Sequence, residues 1–142
     1  MIRFSKKEDY AIILINKLVQ NYNKRLVPLS EVSNEYKISP LFLRNLASQL
    51  KRDGIVKAVE GKKGGYFLSI EPSRLKVGDV LSVFSKKPML DCCPLESLKQ
   101  TSIKCPKEDI CQPGFIWRKL NKNFLEKIYS LNLIEFFNYD DN

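Results

Sequence analysis

Ser39-Pro40-Leu41-Phe42-Leu43-Arg44-Asn45-Leu46-Ala47-Ser48-Gln49-Leu50-Lys51-Arg52-Asp53-Gly54, running on into Ile55-Val56-Lys57-Ala58-Val59, Glu60-Gly61-Lys62-Lys63-Gly64-Gly65 and Tyr66-Phe67-Leu68-Ser69, decides the architecture. Ser39 before Pro40 reads as an N-cap with proline at the first helical position, where its missing N–H costs nothing. Leu41, Leu43, Leu46 and Leu50 carry a core stripe, and Gly54 stands where a left-handed residue ends a helix. The spacing predicts a helix from about Pro40 to Asp53. Two β-prone runs, Ile55 to Val59 and Tyr66 to Ser69, flank a loop punctuated by glycines, which predicts a hairpin with Lys62 and Lys63 near its tip.

Working towards the N-terminus, Pro28 to Tyr36 reads as a short helix with Leu29, Val32 and Tyr36 on one side, and Lys37-Ile38 makes the turn into the next helix. Ser5-Lys6-Lys7-Glu8 has the S-x-x-E pattern of a capping box, followed by Tyr10, Ile13, Leu14 and Leu18 at helical spacing. A first helix is therefore expected from about Lys6 to Asn21. Helices and hairpin in this order make a winged helix-turn-helix, a mainly α fold with a small β-hairpin wing, whose third helix can lie in a major groove.

Towards the C-terminus, Pro72 to Lys76 links to an expected helix from Val77 to Phe84, with Val77, Val80, Leu81 and Phe84 apolar. From Lys86 to Gly114 the periodicity is lost. This stretch holds Pro88, Pro94, Pro106 and Pro113 and every cysteine, so it reads as a long loop that needs an external reason for order. From Phe115 to Leu131, the residues Ile116, Trp117, Leu120, Phe124, Ile128 and Leu131 form an apolar stripe too wide for one small domain to cover. That helix is expected to be the dimer interface. Asn132-Leu133-Ile134-Glu135 recaps a last helix ending near Asn138. The expected organisation is a winged helix-turn-helix domain over 1–84, a cysteine-bearing sensor loop over 85–114, and a dimerisation helix and tail over 115–142.

The 142 residues, 44% of them apolar and 28% charged, suffice for one ordinary core. Lys and Arg outnumber Asp and Glu by 24 to 16, a formal net charge of +8. The excess is uneven: up to Leu75 there are 14 basic against 7 acidic residues, and afterwards 10 against 9. This asymmetry suits a module built for a polyanion, such as nucleic acid, joined to a nearly neutral one; a solvated basic surface gives the same count. The chain contains no histidine, which rules out a Ser-His-Asp triad, a Cys-His dyad and a Cys2His2 zinc site built from this chain alone. With no glycine-rich phosphate loop or paired-carboxylate motif either, an enzyme is not expected. The longest apolar stretch, Ala11 to Ile15, is far below the roughly 18 residues a membrane span needs. No segment of signal type opens the chain, so a cytoplasmic protein without membrane contact is expected.

In a reducing compartment, Cys92, Cys93, Cys105 and Cys111 read as metal-binding or redox-active rather than as a disulfide framework. All four fall within a 20-residue window, which favours a joint role. An iron–sulfur cluster, a zinc site, a thiol pair and small buried apolar residues are the alternatives; the C-x2-C and C-x4-C spacings typical of zinc are absent. On the third helix the core stripe leaves Ser39, Pro40, Arg44, Asn45, Ser48, Gln49 and Arg52 for solvent or DNA. Ser39, Leu41, Arg44 and Asn45 lie nearest the end that reaches bases, while Ser48 and Arg52 suit phosphates. Lys62 and Lys63 suit phosphate or minor-groove contact, with Tyr66 restarting the strand. An ordinary polar helix face is the bland alternative.

Ile38-Ser39, Leu43, Leu50, Gly54-Ile55-Val56, Gly61, Gly64-Gly65-Tyr66-Phe67-Leu68 and Gly78-Asp79-Val80 together resemble the IscR/NsrR-type regulators, the Rrf2 family of bacterial winged-helix transcription factors. The similarity begins at Arg3-Phe4-Ser5, continues through Asp9-Tyr10-Ala11 and resumes at Cys111, Trp117 and Leu120. The resemblance implies a homodimer whose long C-terminal helices pair, placing two winged helices on a palindromic operator in double-stranded DNA. It also implies Arg3 as a phosphate contact. Many members hold a 4Fe-4S or 2Fe-2S cluster in the loop, whose state changes DNA affinity; others hold none. By position Cys93, Cys105 and Cys111 would be the ligands. Cys105-x5-Cys111 reproduces the family's second spacing, but eleven residues separate Cys93 from Cys105 where a short gap is usual, and Cys92 competes for the first position. Without histidine, the fourth ligand implied is Asp9, where nitric-oxide-responsive members carry an aspartate that ligates the cluster of the other subunit. The alternative for Asp9 is a first-turn acid favoured by the helix dipole. Glu60 stands where many relatives have arginine. The function implied is a repressor switched by its cluster in response to nitric oxide, redox state or iron; the alternative is a cluster-free regulator responding to a metabolite or to thiol oxidation.

Overall fold

The computed structural model describes residues 5–84, 107 and 109–139. Among the described residues, six helices and one hairpin follow in the order α1 (Lys6–Gln20), α2 (Leu29–Tyr36), α3 (Pro40–Arg52), β1 (Val56–Val59), β2 (Gly65–Leu68), α4 (Val77–Ser82), α5 (Gln112–Ser130) and α6 (Leu133–Phe137). Helix α1 opens with the expected capping box: the Glu8 amide donates to Ser5 Oγ, and the Ser5 amide donates to Glu8 Oε2. Lys37, at φ 55°, reverses the chain between α2 and α3. The Ser33 hydroxyl, buried below this turn, donates to the Ile38 carbonyl at 2.6 Å and satisfies it. Ser39 occupies the N-cap of α3 with Pro40 behind it, although its hydroxyl makes no capping bond. Gly54 follows the C-cap at φ +76°, a conformation that a side chain would strain.

One core holds these elements together. Ala11, Leu14, Ile15 and Leu18 of α1 meet Val32 of α2, Leu43, Ala47 and Leu50 of α3, and Val77, Val80 and Leu81 of α4, all essentially inaccessible to water. Tyr36, expected on the apolar side of α2, is instead 38% exposed, because the α2 stripe that reaches the core is carried by Leu29 and Val32.

The hairpin pairs Val56 with Leu68 and Val59 with Gly65 in antiparallel register. A third segment pins it: Val27 donates to the Tyr66 carbonyl at 3.0 Å and accepts from the Tyr66 amide at 2.8 Å. Gly65 allows this approach, since a Cβ there would lie 2.8 Å from the Val27 carbonyl carbon and oxygen. The wing is thus fastened to the segment that enters the helix-turn-helix.

Helix α5 starts three residues before the expected Phe115. Pro113 sits in its first turn, where a proline forfeits no hydrogen bond. The last residues assigned to the sensor loop are therefore helical. Helix α4 stops at Ser82, with the Val83 and Phe84 amides closing i→i+3 turns rather than extending it. Asn132 and Glu135 form the expected cap of α6. The Val77 amide donates to Leu131 and the Leu133 amide to Leu75, both at 2.9 Å, stitching the α5–α6 junction to the start of α4. No helix among the described residues is long and apolar enough to cross a membrane.

Candidate nucleic-acid interface and sensor region

Because Leu43, Leu46, Ala47 and Leu50 are fully buried, the opposite side of α3 is fixed outward. Leu41, Arg44, Asn45 and Ser48, spaced three and four apart, are all exposed along it, with Ser39 and Pro40 exposed ahead of them and Arg52 at the far end. This is one continuous face of a helix. Leu41, counted with the core stripe as well as among the base-facing residues, belongs to the outward side. Gln49 departs from the expected set, since it is half-buried and its amide donates back to the Asn45 carbonyl.

Lys62 and Lys63 are exposed at the wing tip. Tyr66 is half-buried and packs against the core, so its backbone anchors the wing more than its ring faces outward. Arg3 lies outside the described residues.

The first turn of α3 is also steadied from behind. Phe42 meets Tyr10 of α1 edge to face, with ring centroids 5.6 Å apart and planes at 86°. Beside Tyr10, Asp9 is exposed and helps line a small cavity of about 100 Å³ with Ile12, Val77, Leu81, Ile128 and Phe136. Neighbouring residues of one helix thus touch the α3 first turn and the α4–α5–α6 junction. Lys17 of α1 adds an ion-pair network with α2. It meets Glu35 at 2.6 Å and Glu31 at 3.3 Å, while Arg25 grips both oxygens of Glu31. The Arg25 hydrogen bonds, reinforced by Lys17, hold the Glu31 carboxyl down at about 2.

Cys111 is the N-cap of α5, and its sulfur accepts from the Gly114 amide at 3.4 Å. A sulfur here faces the positive end of a long helix, a position that favours a negatively charged ligand atom. Cys92, Cys93 and Cys105 lie outside the described residues. Among the described residues no group of three or more potential ligands converges.

The expected dimer stripe divides in two. Ile116, Trp117, Leu120 and Phe124 are 54%, 46%, 50% and 37% exposed and form an open apolar face. Ile128 and Leu131 instead pack against the core of their own chain, with Tyr129. The division follows from Gly78, where a Cβ would fall 2.6 Å from the Tyr129 ring; its absence lets α5 sit directly on α4. Burial pushes the Tyr129 hydroxyl up, with Glu8 adding to the effect. Asn121 escaped the sequence reading. It is 1% exposed on the inward side of α5, two turns past the buried Gly114, and neither of its amide atoms finds a hydrogen-bond partner among the described residues. Its only sequence signal is an amide inserted among apolar residues at helical spacing.

Comparison with known proteins places this geometry. The Rrf2 family profile, described as an iron-dependent transcriptional regulator, matches residues 4–139. The HTH-type transcriptional regulator IscR of Klebsiella pneumoniae strain 342 is 28% identical over 137 residues, covering 96% of this chain and 80% of that one. Among solved structures, IscR of T. potens superposes with a TM-score of 0.72 at 26% identity, covering 99% of this chain and 89% of the other. CymR, the global cysteine regulator of B. subtilis, gives 0.76 at 23% identity over 98% of both chains, which speaks for the fold. With the winged helix-turn-helix, the wing anchored by Gly65 and the long helix behind Cys111 all matched from end to end, this chain belongs to the Rrf2 family of transcriptional regulators.

Proposed function

We propose that the chain acts as a homodimeric repressor on a palindromic operator, with α3 in the major groove and the affinity set by an iron–sulfur cluster. The observation that carries the DNA-reading half is the outward face of α3, where Leu41, Arg44, Asn45 and Ser48 project from a helix whose rotation is locked by four buried residues. Arg44 and Asn45 are the types that bond guanine and adenine edges, and Ser39, Ser48, Arg52 and the wing lysines suit the phosphate backbone. The exposed stripe of Ile116, Trp117, Leu120 and Phe124 supplies the two-fold interface such an operator requires.

For the sensing half, the donor set is tested at Cys111. A thiolate ligand at the N-terminus of α5 is compatible with an iron–sulfur cluster, and the exposed Asp9 carboxylate is open to reach across a dimer. Cys93, Cys105 and Cys111 would hold the cluster, with Cys92 the alternative first ligand and Asp9 the fourth. A bound cluster would supply a centre sensitive to redox state, nitric oxide and iron supply. The chain's own contribution is transmission. Asp9 precedes Tyr10, whose ring bears on Phe42, so a pull on the Asp9 carboxylate is delivered to the first turn of α3.

Anaerobic purification followed by iron and sulfide analysis and operator binding tests this reading. Wild type is expected to be brown, Ala at Cys93, Cys105 or Cys111 colourless, and Asp9→Ala weakly coloured with altered cluster-dependent binding. A colourless wild type whose operator binding equals that of the triple-cysteine variant would leave the cluster-free regulator as the function.

A further inference from the structure

A lone exposed leucine on a protein surface is ordinary. Leu41 is distinguished by degree and by place. At 64% it is the most exposed large apolar side chain among the described residues up to Phe84, ahead of Val59 at 48%, Tyr36 at 38% and Ile70 at 37%. It stands in the first turn of α3, one residue after the helix-starting Pro40 and directly below Arg44 and Asn45 on the outward face. Its direction is held on both sides, because the next residue, Phe42, is fixed edge to face on Tyr10 and Leu43 is fully buried. The isobutyl group cannot turn into the core without unseating the helix. On the same face Arg44, Asn45 and Ser48 are exposed and polar, and none of the described residues covers the leucine.

A major groove offers one apolar feature, the C5-methyl of thymine; the remaining base edges are hydrogen-bond donors and acceptors. We propose that Leu41 is a specificity residue that reads thymine, its isobutyl group covering the C5-methyl of one thymine in each operator half-site. This rests on the reading of α3 as the recognition helix. Leu41 then selects thymine by excluding water from the methyl, while Arg44 and Asn45 on the same face hydrogen-bond flanking bases.

The test uses duplexes carrying the sequence that wild type selects from random DNA, with each thymine replaced in turn by uracil, which removes only the methyl. Removing a buried methyl from wild type should weaken binding about fourfold per half-site at one position. Leu41→Ser should bind the thymine and uracil duplexes equally, with a wild-type circular dichroism spectrum showing that the fold is kept. Selected sites without thymine opposite the start of α3, wild type indifferent to every uracil, or Leu41→Ser with full discrimination would each overturn the proposal. Arg44→Ala in the same assay separates the two layers. If it relaxes sequence preference while the uracil series is flat, Leu41 is not a reader although α3 is; if neither responds, α3 is not the reading helix.

Discussion

Gly78→Ala tests the seam on which the arrangement of α5 rests. Gly78 is a buried residue of α4 with ordinary backbone angles, so alanine is conformationally acceptable there and helix propensity alone would favour it by up to about 1 kcal/mol. Packing opposes this. The new Cβ would lie 2.6 Å from Tyr129 Cδ1, 2.8 Å from Cγ and 2.9 Å from Cβ. Rotating the ring cannot clear the contact, because Tyr129 Cβ itself is among the three atoms. Either α5 backs away from α4 by about 1 Å, the gap to a normal carbon contact, or the core opens around it. Overpacking costs about 1 to 3 kcal/mol, and three atoms within 3.0 Å put this site in the upper half of that range, so after the propensity gain a net loss of about 1 to 2 kcal/mol is expected. Denaturant unfolding at fixed protein concentration should show it as a lowered midpoint with unchanged slope. Tyr129→Ala removes the two nearest atoms, so adding Gly78→Ala in that background should cost at least about 1 kcal/mol less than in wild type. A neutral or stabilised Gly78→Ala variant, or strict additivity in the cycle, would refute this account of how α5 is seated.

Charge introduced at Leu120 and Phe124, both exposed in the single chain, should leave the fold intact while giving monomers in sedimentation; an unchanged dimer would move the interface elsewhere. Reversing Lys62 and Lys63 to glutamate, four lysines in the dimer, should weaken binding to all sequences alike and reduce the slope of log affinity against log salt by about 4, whereas loss confined to one operator sequence would contradict a backbone role. Glu31, held at about 2 against an ordinary 4.5, is depressed on folding, so its stabilisation is complete above pH 4.5 and lost as pH falls through about 2. Acid titration of stability should be steeper in wild type than in Glu31→Gln across that window, and parallel curves would show that the Arg25–Glu31–Lys17 network is energetically idle.

The sequence by itself determined the elements and their order. Ser5 with Glu8, Pro40, Gly54 and Asn132 with Glu135 act on backbone groups within a turn of themselves, so helix ends were legible from local chemistry. The exception at Pro113 is a residue that permits both a loop and a first helical turn. The family motifs were legible too, but the reasons for two of their glycines were not, because Gly65 answers to Val27 and Gly78 to Tyr129, both distant in the chain. Only tertiary structure decided which apolar residues stay outside. A stripe at helical spacing says that a face is greasy, not what covers it. Leu41 looks like its neighbours Leu43 and Leu46 until the core claims the other side of α3. Ile128 and Leu131 continue the stripe of Leu120 and Phe124, yet the stitching of α5 to Leu75 and Val77 commits them to their own chain and leaves the rest open. Burial is a property of pairs of surfaces, and the second surface of each pair is supplied by residues far away in sequence.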